Sequence, residues 1–448
     1  MPMASISRWT LAFFGFALAS LLAALGLMSA GFGYPHAALM APQTLIIVHL
    51  IALGWLSLLM LGALLQFLPV LVGGNLRAAR WAPLVLLLLV AGLVLLLMGF
   101  AVMDGWGGVP PETLPLGGLL LLAGLSVAAF IMFATLLNAK ALPLPAGFVA
   151  IAVMSALVTA LLGETLASAI AGLFGGDFAA AIITHGVPLH AGFGLGGWLT
   201  LAAMGVSYRL VSMFLVAPER TGMRPRIVLW SGLAALAMLC MGLGVLLATN
   251  APLPLTLAIA AIAGLAAIGA YAGDIVALYQ ARRRKALELH MEAGLAAFAV
   301  LPAGALWLVV ATMLESEAGI AAAIYVLAFG WLGGLGLAML YKIIPFLTWL
   351  ECFAPFMGRE PTPRVQDLVR ESRARAWFWL YFIALILGAA GLQIGYPVMF
   401  QLAAGLQLLA TLLLTYQYGR ARLLADLPAA WHHHSRPRLF LPRQRSFL

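Results

Sequence analysis

Gly54-Trp55-Leu56, within the run His49-Leu-Ile-Ala-Leu-Gly-Trp55, recurs as Gly197-Trp198-Leu199 and as Gly330-Trp331-Leu332, at spacings of 143 and 133 residues. The shared register extends past the triplet. Ten and eleven residues after each Trp stand Leu65-Gln66, Tyr208-Arg209 and Tyr341-Lys342, and fourteen after stand Pro69, Ser212 and Pro345. Self-similarity at a near-constant period marks one structural unit built several times. The chain is therefore read in thirds of about 140 residues, each holding helices that end with a Gly-Trp helix.

The flanks of these triplets set the class. With 64% hydrophobic residues, 9% charged residues and a mean hydropathy of +1.07, the chain has too little polar surface for a water-soluble fold. Apolar runs of eighteen or more residues recur along its length, which is the signature of spanning helices. We read an all-α polytopic membrane protein with twelve transmembrane helices at 9–30, 44–72, 80–102, 114–137, 145–174, 178–214, 226–249, 253–281, 286–314, 319–349, 375–394 and 397–421. These form a single membrane domain over 1–448, in three pseudo-threefold four-helix repeats. The repeats run approximately 1–76, 77–215 and 216–350; helices 375–421 complete the first arc, and 422–448 is a cytoplasmic tail.

The net charge of +9 does not indicate nucleic acid, because the Lys and Arg residues fall in alternate loops and at the tails. Arg8, Arg77, Arg80, Lys140, Arg220, Arg224, Arg226, the run Arg282-Arg283-Arg284-Lys285 and the arginines of 359–375 all lie on one side of the twelve-span scheme. The opposite loops carry Asp104, Glu112, Asp177, Glu315 and Glu317. By the positive-inside rule both termini are cytoplasmic and the expected location is a bacterial-type inner membrane. The first apolar segment shows no cleavage signal and is read as a retained span. Cys240 and Cys352 imply no disulfide framework. The polar insertion 351–374 is expected to form a short surface helix, and the tail after Asp426 to be disordered or surface-bound.

Imidazole inside a bilayer is costly unless paired or ligating, so His49, His190 and His185 are the candidate cofactor or metal ligands. His49 stands six residues before its Trp and His190 eight before its own, about 9 and 12 Å along parallel helices at 1.5 Å per residue. Two nitrogen ligands thus arrive at one depth, in the outer half of the membrane, where they suit a haem or a copper ion. The plainer role for each is a hydrogen bond to a backbone carbonyl. Pro188 between His185 and His190 is expected to break the helix there. His36 belongs to an outer loop, and the run His432 to His434 to the tail. A possible proton path is Glu164, Asp274, Glu288, His290 and Glu292, against which stands simple ion pairing such as Arg284 with Glu288. Tyr208, Arg209 and Lys342 read as interfacial anchors.

The stretch from His49 through Gln66-Phe-Leu-Pro69-Val-Leu-Val-Gly-Gly-Asn75 resembles the second helix of the haem-copper oxidase subunit I superfamily. That resemblance implies twelve core helices in three arcs, His49 in the place of the low-spin haem ligand, and His185 or His190 in the place of the helix-six copper ligand. The departures are in helices seven and ten. The family's oxygen and nitric oxide reductases have a His-His pair in helix seven and two histidines in helix ten; here span seven has none and span ten has Tyr325 at the corresponding place. The chain looks more like the reduced, single-subunit relatives, among them the NnrS family associated with nitric oxide metabolism. The expected function is binding of haem b, with copper as a further candidate, for electron transfer or for handling or sensing of a small gas such as O2 or NO, and not standard oxygen reduction.

The expected partners are the lipid bilayer and a redox subunit or cytochrome. A secondary transporter is the rival class, though transporters are usually built from two repeats about a midplane site. A cofactor-free membrane assembly factor is the third reading.

Overall fold

The computed structural model describes residues 9–251, 254–428, 431 and 437–441. The N-terminal Arg8 and the run His432 to His434 lie outside the described residues. Among the described residues twelve helices are long and apolar enough to cross a membrane: α1 Thr10–Ser29, α2 Pro42–Val72, α3 Ala79–Met103, α4 Thr113–Leu137, α5 Leu144–Ile170, α6 Gly176–Leu215, α7 Met223–Thr249, α8 Pro254–Gln280, α9 Leu289–Met313, α10 Glu317–Cys352, α11 Glu371–Gln393 and α12 Pro397–Arg422. Their length and composition are those of a multi-pass membrane protein. Leu- and Ala-rich runs adopt this form because a helix satisfies every backbone group internally, as hydrocarbon requires. Pro42 and Pro397 each occupy a first turn, where the missing N–H has no helical partner to lose.

Consecutive helices pack side by side, and α12 returns against α1. The three Gly-Trp helices, α2, α6 and α10, are the most buried of the twelve and touch one another pairwise. Each contains a π-helical segment at its Gly-Trp-Leu triplet: Leu50–Ser57, Gly192–Thr200 and Val326–Gly333. A π turn loosens the backbone ladder, and in a dry core the freed carbonyls need donors. Hydroxyls supply them. Ser57 Oγ donates to Ala52 O at 2.7 Å, Ser155 Oγ to Phe193 O at 2.9 Å, and Tyr381 Oη to Phe329 O at 2.8 Å. Ser57 Oγ also accepts from Trp198 Nε1 at 3.0 Å, which ties α6 to α2.

Three local expectations are corrected. The insertion 351–374 is not a surface helix: it holds two short 3-10 turns, Ala354–Phe356 and Val365–Leu368, between the ends of α10 and α11. Prolines at 355, 361 and 363 prevent a longer one. The segment after Asp426 is packed where it is described. Leu427 and Trp431 join Phe353 and Leu368 in a small apolar cluster, and buried Arg422 donates to the carbonyl of Arg438. Asp426 receives Arg420, Arg373 and Arg370, and the hydrogen bonds from Arg420 hold its carboxyl below the usual carboxylate range. Finally, Pro188 does not break α6, which stays helical through it. The loosened π ladder begins four residues later.

Candidate functional site

His49 is the last residue before the π segment of α2, and His190 stands two residues before that of α6. The two rings come together: their centroids are 6.5 Å apart, with planes inclined by 32°. Both side chains are half-buried. His49 Nδ1 lies 2.8 Å from the carbonyl of Leu45, and His190 Nδ1 lies 3.0 Å from the carbonyl of Thr159 on α5. A carbonyl oxygen only accepts, so in each ring Nδ1 is the nitrogen that carries hydrogen. In the neutral imidazole that assignment leaves the lone pair on Nε2, facing away from the backbone bond. A carbonyl bonded to the distal N–H is the usual support of a ligating histidine, which it orients and makes more basic.

The neighbours hold this pair in place. The ring of Phe100, from α3, lies 5.1 Å from that of His49. On α5, Gly163 lies against His190, where a Cβ would stand 2.9 Å from the ring's Cε1. Gly163→Ala is expected to push the His190 ring off the Thr159 carbonyl. A metal centre on that ring would bind about 10-fold or more weakly while the helical content stays unchanged; metal titration of wild type and variant beside circular dichroism checks it.

With an imidazole nitrogen to metal distance of about 2.0–2.1 Å, two rings whose centroids are 6.5 Å apart are within reach of one shared metal ion. Among the described residues no group of three His, Cys, Asp or Glu is placed to hold a metal ion. A three-histidine copper centre therefore has no counterpart in this part of the chain, and His185, five residues before His190, joins no such group.

The remaining candidates are dispersed. Glu164, on α5, accepts from Ser168 Oγ at 2.9 Å, and its other oxygen is buried against Gly118 of α4 without a partner. Asp274, fully buried on α8, accepts from Tyr208 Oη at 3.0 Å and from Arg220 Nε at 3.2 Å. Glu288 binds Lys342 and Arg284, with His290 Nδ1 at 3.5 Å. Glu292 pairs with Arg375. The five residues named as a proton path thus belong to four separate groups, and the ring of Phe214 packs against His290 with centroids 4.9 Å apart. Tyr208 is not an interfacial anchor, because Asp274 draws it into the core. Arg209 and Lys342 are paired with Glu219 and Glu288. His36 is exposed in the α1–α2 loop.

Sequence reasoning missed Thr159, Gly163 and Phe100. Thr159 contributes only its backbone carbonyl, so no side-chain signal could have found it. Tyr325, immediately before the π segment of α10, takes the position that His49 holds in α2; it is buried and donates to Gln407 Oε1 at 2.6 Å. No protein-family model matches the chain, and no curated protein matches it.

Proposed function

We propose that this chain is a membrane haem protein in which His49 and His190 would together hold one b-type haem. The observation that carries the reading is the pair of imidazoles at 6.5 Å, each with Nδ1 committed to a backbone carbonyl. Haem suits the donor set better than copper does, since copper would have only these two nitrogens among the described residues. Bound there, the iron porphyrin supplies a one-electron couple. The residues of this chain do the rest: the Leu45 and Thr159 carbonyls orient the rings, Phe100 covers His49 with apolar surface, and Gly163 leaves His190 room. Iron held by two protein nitrogens would favour electron transfer over direct binding of a gas.

The same reading takes the triplicated Gly-Trp-Leu register as three repeats of a haem-copper oxidase subunit I type of bundle. It places the chain in a bacterial-type inner membrane with both termini cytoplasmic, from the distribution of Lys and Arg, and so puts His49 and His190 toward the outer face. A redox subunit or cytochrome is the partner such a site would serve.

The test is an optical spectrum with metal analysis of protein purified after expression with ample haem. The expected result is a Soret band, sharp visible bands on reduction, and iron in proportion to protein. Protein that has neither a Soret band nor iron, and takes up no added haem, would overturn the proposal.

A further inference from the structure

At the basic end of the α7–α8 hairpin, charges do not balance. Asp274 sits six residues before the end of α8, fully buried. It meets Tyr208 Oη at 3.0 Å, Arg220 Nε at 3.2 Å and, at 3.8 Å, a guanidinium nitrogen of Arg224. One carboxylate faces two guanidinium charges, and 3.8 Å is beyond hydrogen-bond reach. Arg224 keeps its charge and its donors. Its side chain lies along α8 over Gly273, where a Cβ would stand 3.5 Å from its terminal nitrogen, and half of it is exposed. Arg226, two residues on, is exposed, and one turn further along α7 Trp230 is 65% exposed. An exposed Trp next to arginines at a helix end is the pattern of the head-group boundary. α7 and α8 are the least buried of the twelve helices, so this corner lies on the outer surface of the bundle.

We propose that Arg224 and Arg226, with Arg220 behind them, bind the phosphate of an anionic phospholipid whose acyl chains lie against the exposed Ile227 and Trp230 of α7. A guanidinium fork matches two phosphate oxygens at once, and the surplus positive charge selects an anionic head group over a zwitterionic one. The proposal stands apart from haem binding.

The test titrates delipidated full-length protein, in a neutral detergent, with phosphatidylglycerol, phosphatidylcholine or inorganic phosphate. Bound lipid is counted by native mass spectrometry and the effect read by thermal unfolding. Phosphatidylglycerol is expected to bind and to raise the unfolding temperature, and the other two to do neither. The double variant R224Q/R226Q should bind phosphatidylglycerol about thirtyfold more weakly and unfold at the wild-type temperature in phosphatidylcholine, while R224K/R226K, which keeps the charge and loses the fork, should bind more weakly than the wild type and more tightly than R224Q/R226Q. The single variant R226Q, altering an exposed side chain, keeps the test open should the double variant fail to fold. Equal binding of phosphatidylcholine, stabilisation by inorganic phosphate alone, or unchanged lipid binding by R224Q/R226Q would each overturn the proposal.

Discussion

His190→Ala, and separately His49→Ala, is expected to abolish the Soret band of haem-supplied protein while the helical bundle remains. Under the proposed function each substitution removes one of the two imidazoles that would hold the haem, and because loss of a mere supporting bond already costs about 10–100-fold in metal affinity, removal of the imidazole itself should exceed that. The fold should tolerate both changes. The His49 ring bonds only to a carbonyl of its own helix, and His190 to one carbonyl of α5, so about 1 kcal/mol of stability is at stake in each. Circular dichroism and size exclusion in detergent check the fold, and the spectrum checks the cofactor. Wild-type spectra in both variants would show that neither imidazole holds the haem.

Gly117→Ala is expected to produce the largest loss of stability of any single methyl added to the chain's glycines at a helix crossing. α3 and α4 cross at Gly92 and Gly117, and a Cβ on Gly117 would lie 2.4 Å from the backbone nitrogen of Leu96, 2.8 Å from its Cα and 3.0 Å from the Gly92 carbonyl. Backbone cannot rotate away as a side chain does, so the helices must separate. Inside a bilayer no hydrophobic drive opposes that separation, since lipid tails are as apolar as the helix surface, and close packing is what holds the pair. The expected cost is about 3 kcal/mol or more, at or above the usual range for overpacking. Gly244→Ala is the matched control, because nothing lies within 4 Å of that Cβ. Thermal unfolding that ranks G117A level with G244A would refute the crossing.

The histidine pair was partly legible in the sequence. Counting along the helix from a repeated Trp put His49 and His190 at similar depths, and the rings indeed stand 6.5 Å apart. The π segments were not legible, although all three fall on the repeated triplets. A π turn depends on where its freed carbonyls find donors. Two of those donors, Ser155 and Tyr381, come from other helices, so the local sequence of α6 or α10 carries no trace of them. Tyr208 was misplaced for the same kind of reason. Its position near a helix end suggested the head-group layer, but its partner Asp274 lies sixty-six residues away.

The sequence alone determined the twelve helices and the positions of the candidate ligands along them. Hydrophobic run length and helical rise are properties of consecutive residues, and the need to satisfy backbone groups in hydrocarbon leaves the chain no other form. Only the tertiary structure decided which nitrogen of each imidazole is free, which acids share a partner, and which arginine is left without enough countercharge. Those outcomes depend on groups far apart in the chain meeting at hydrogen-bond distance, and a distance between helices is set by side-chain packing, which no spacing within one helix encodes.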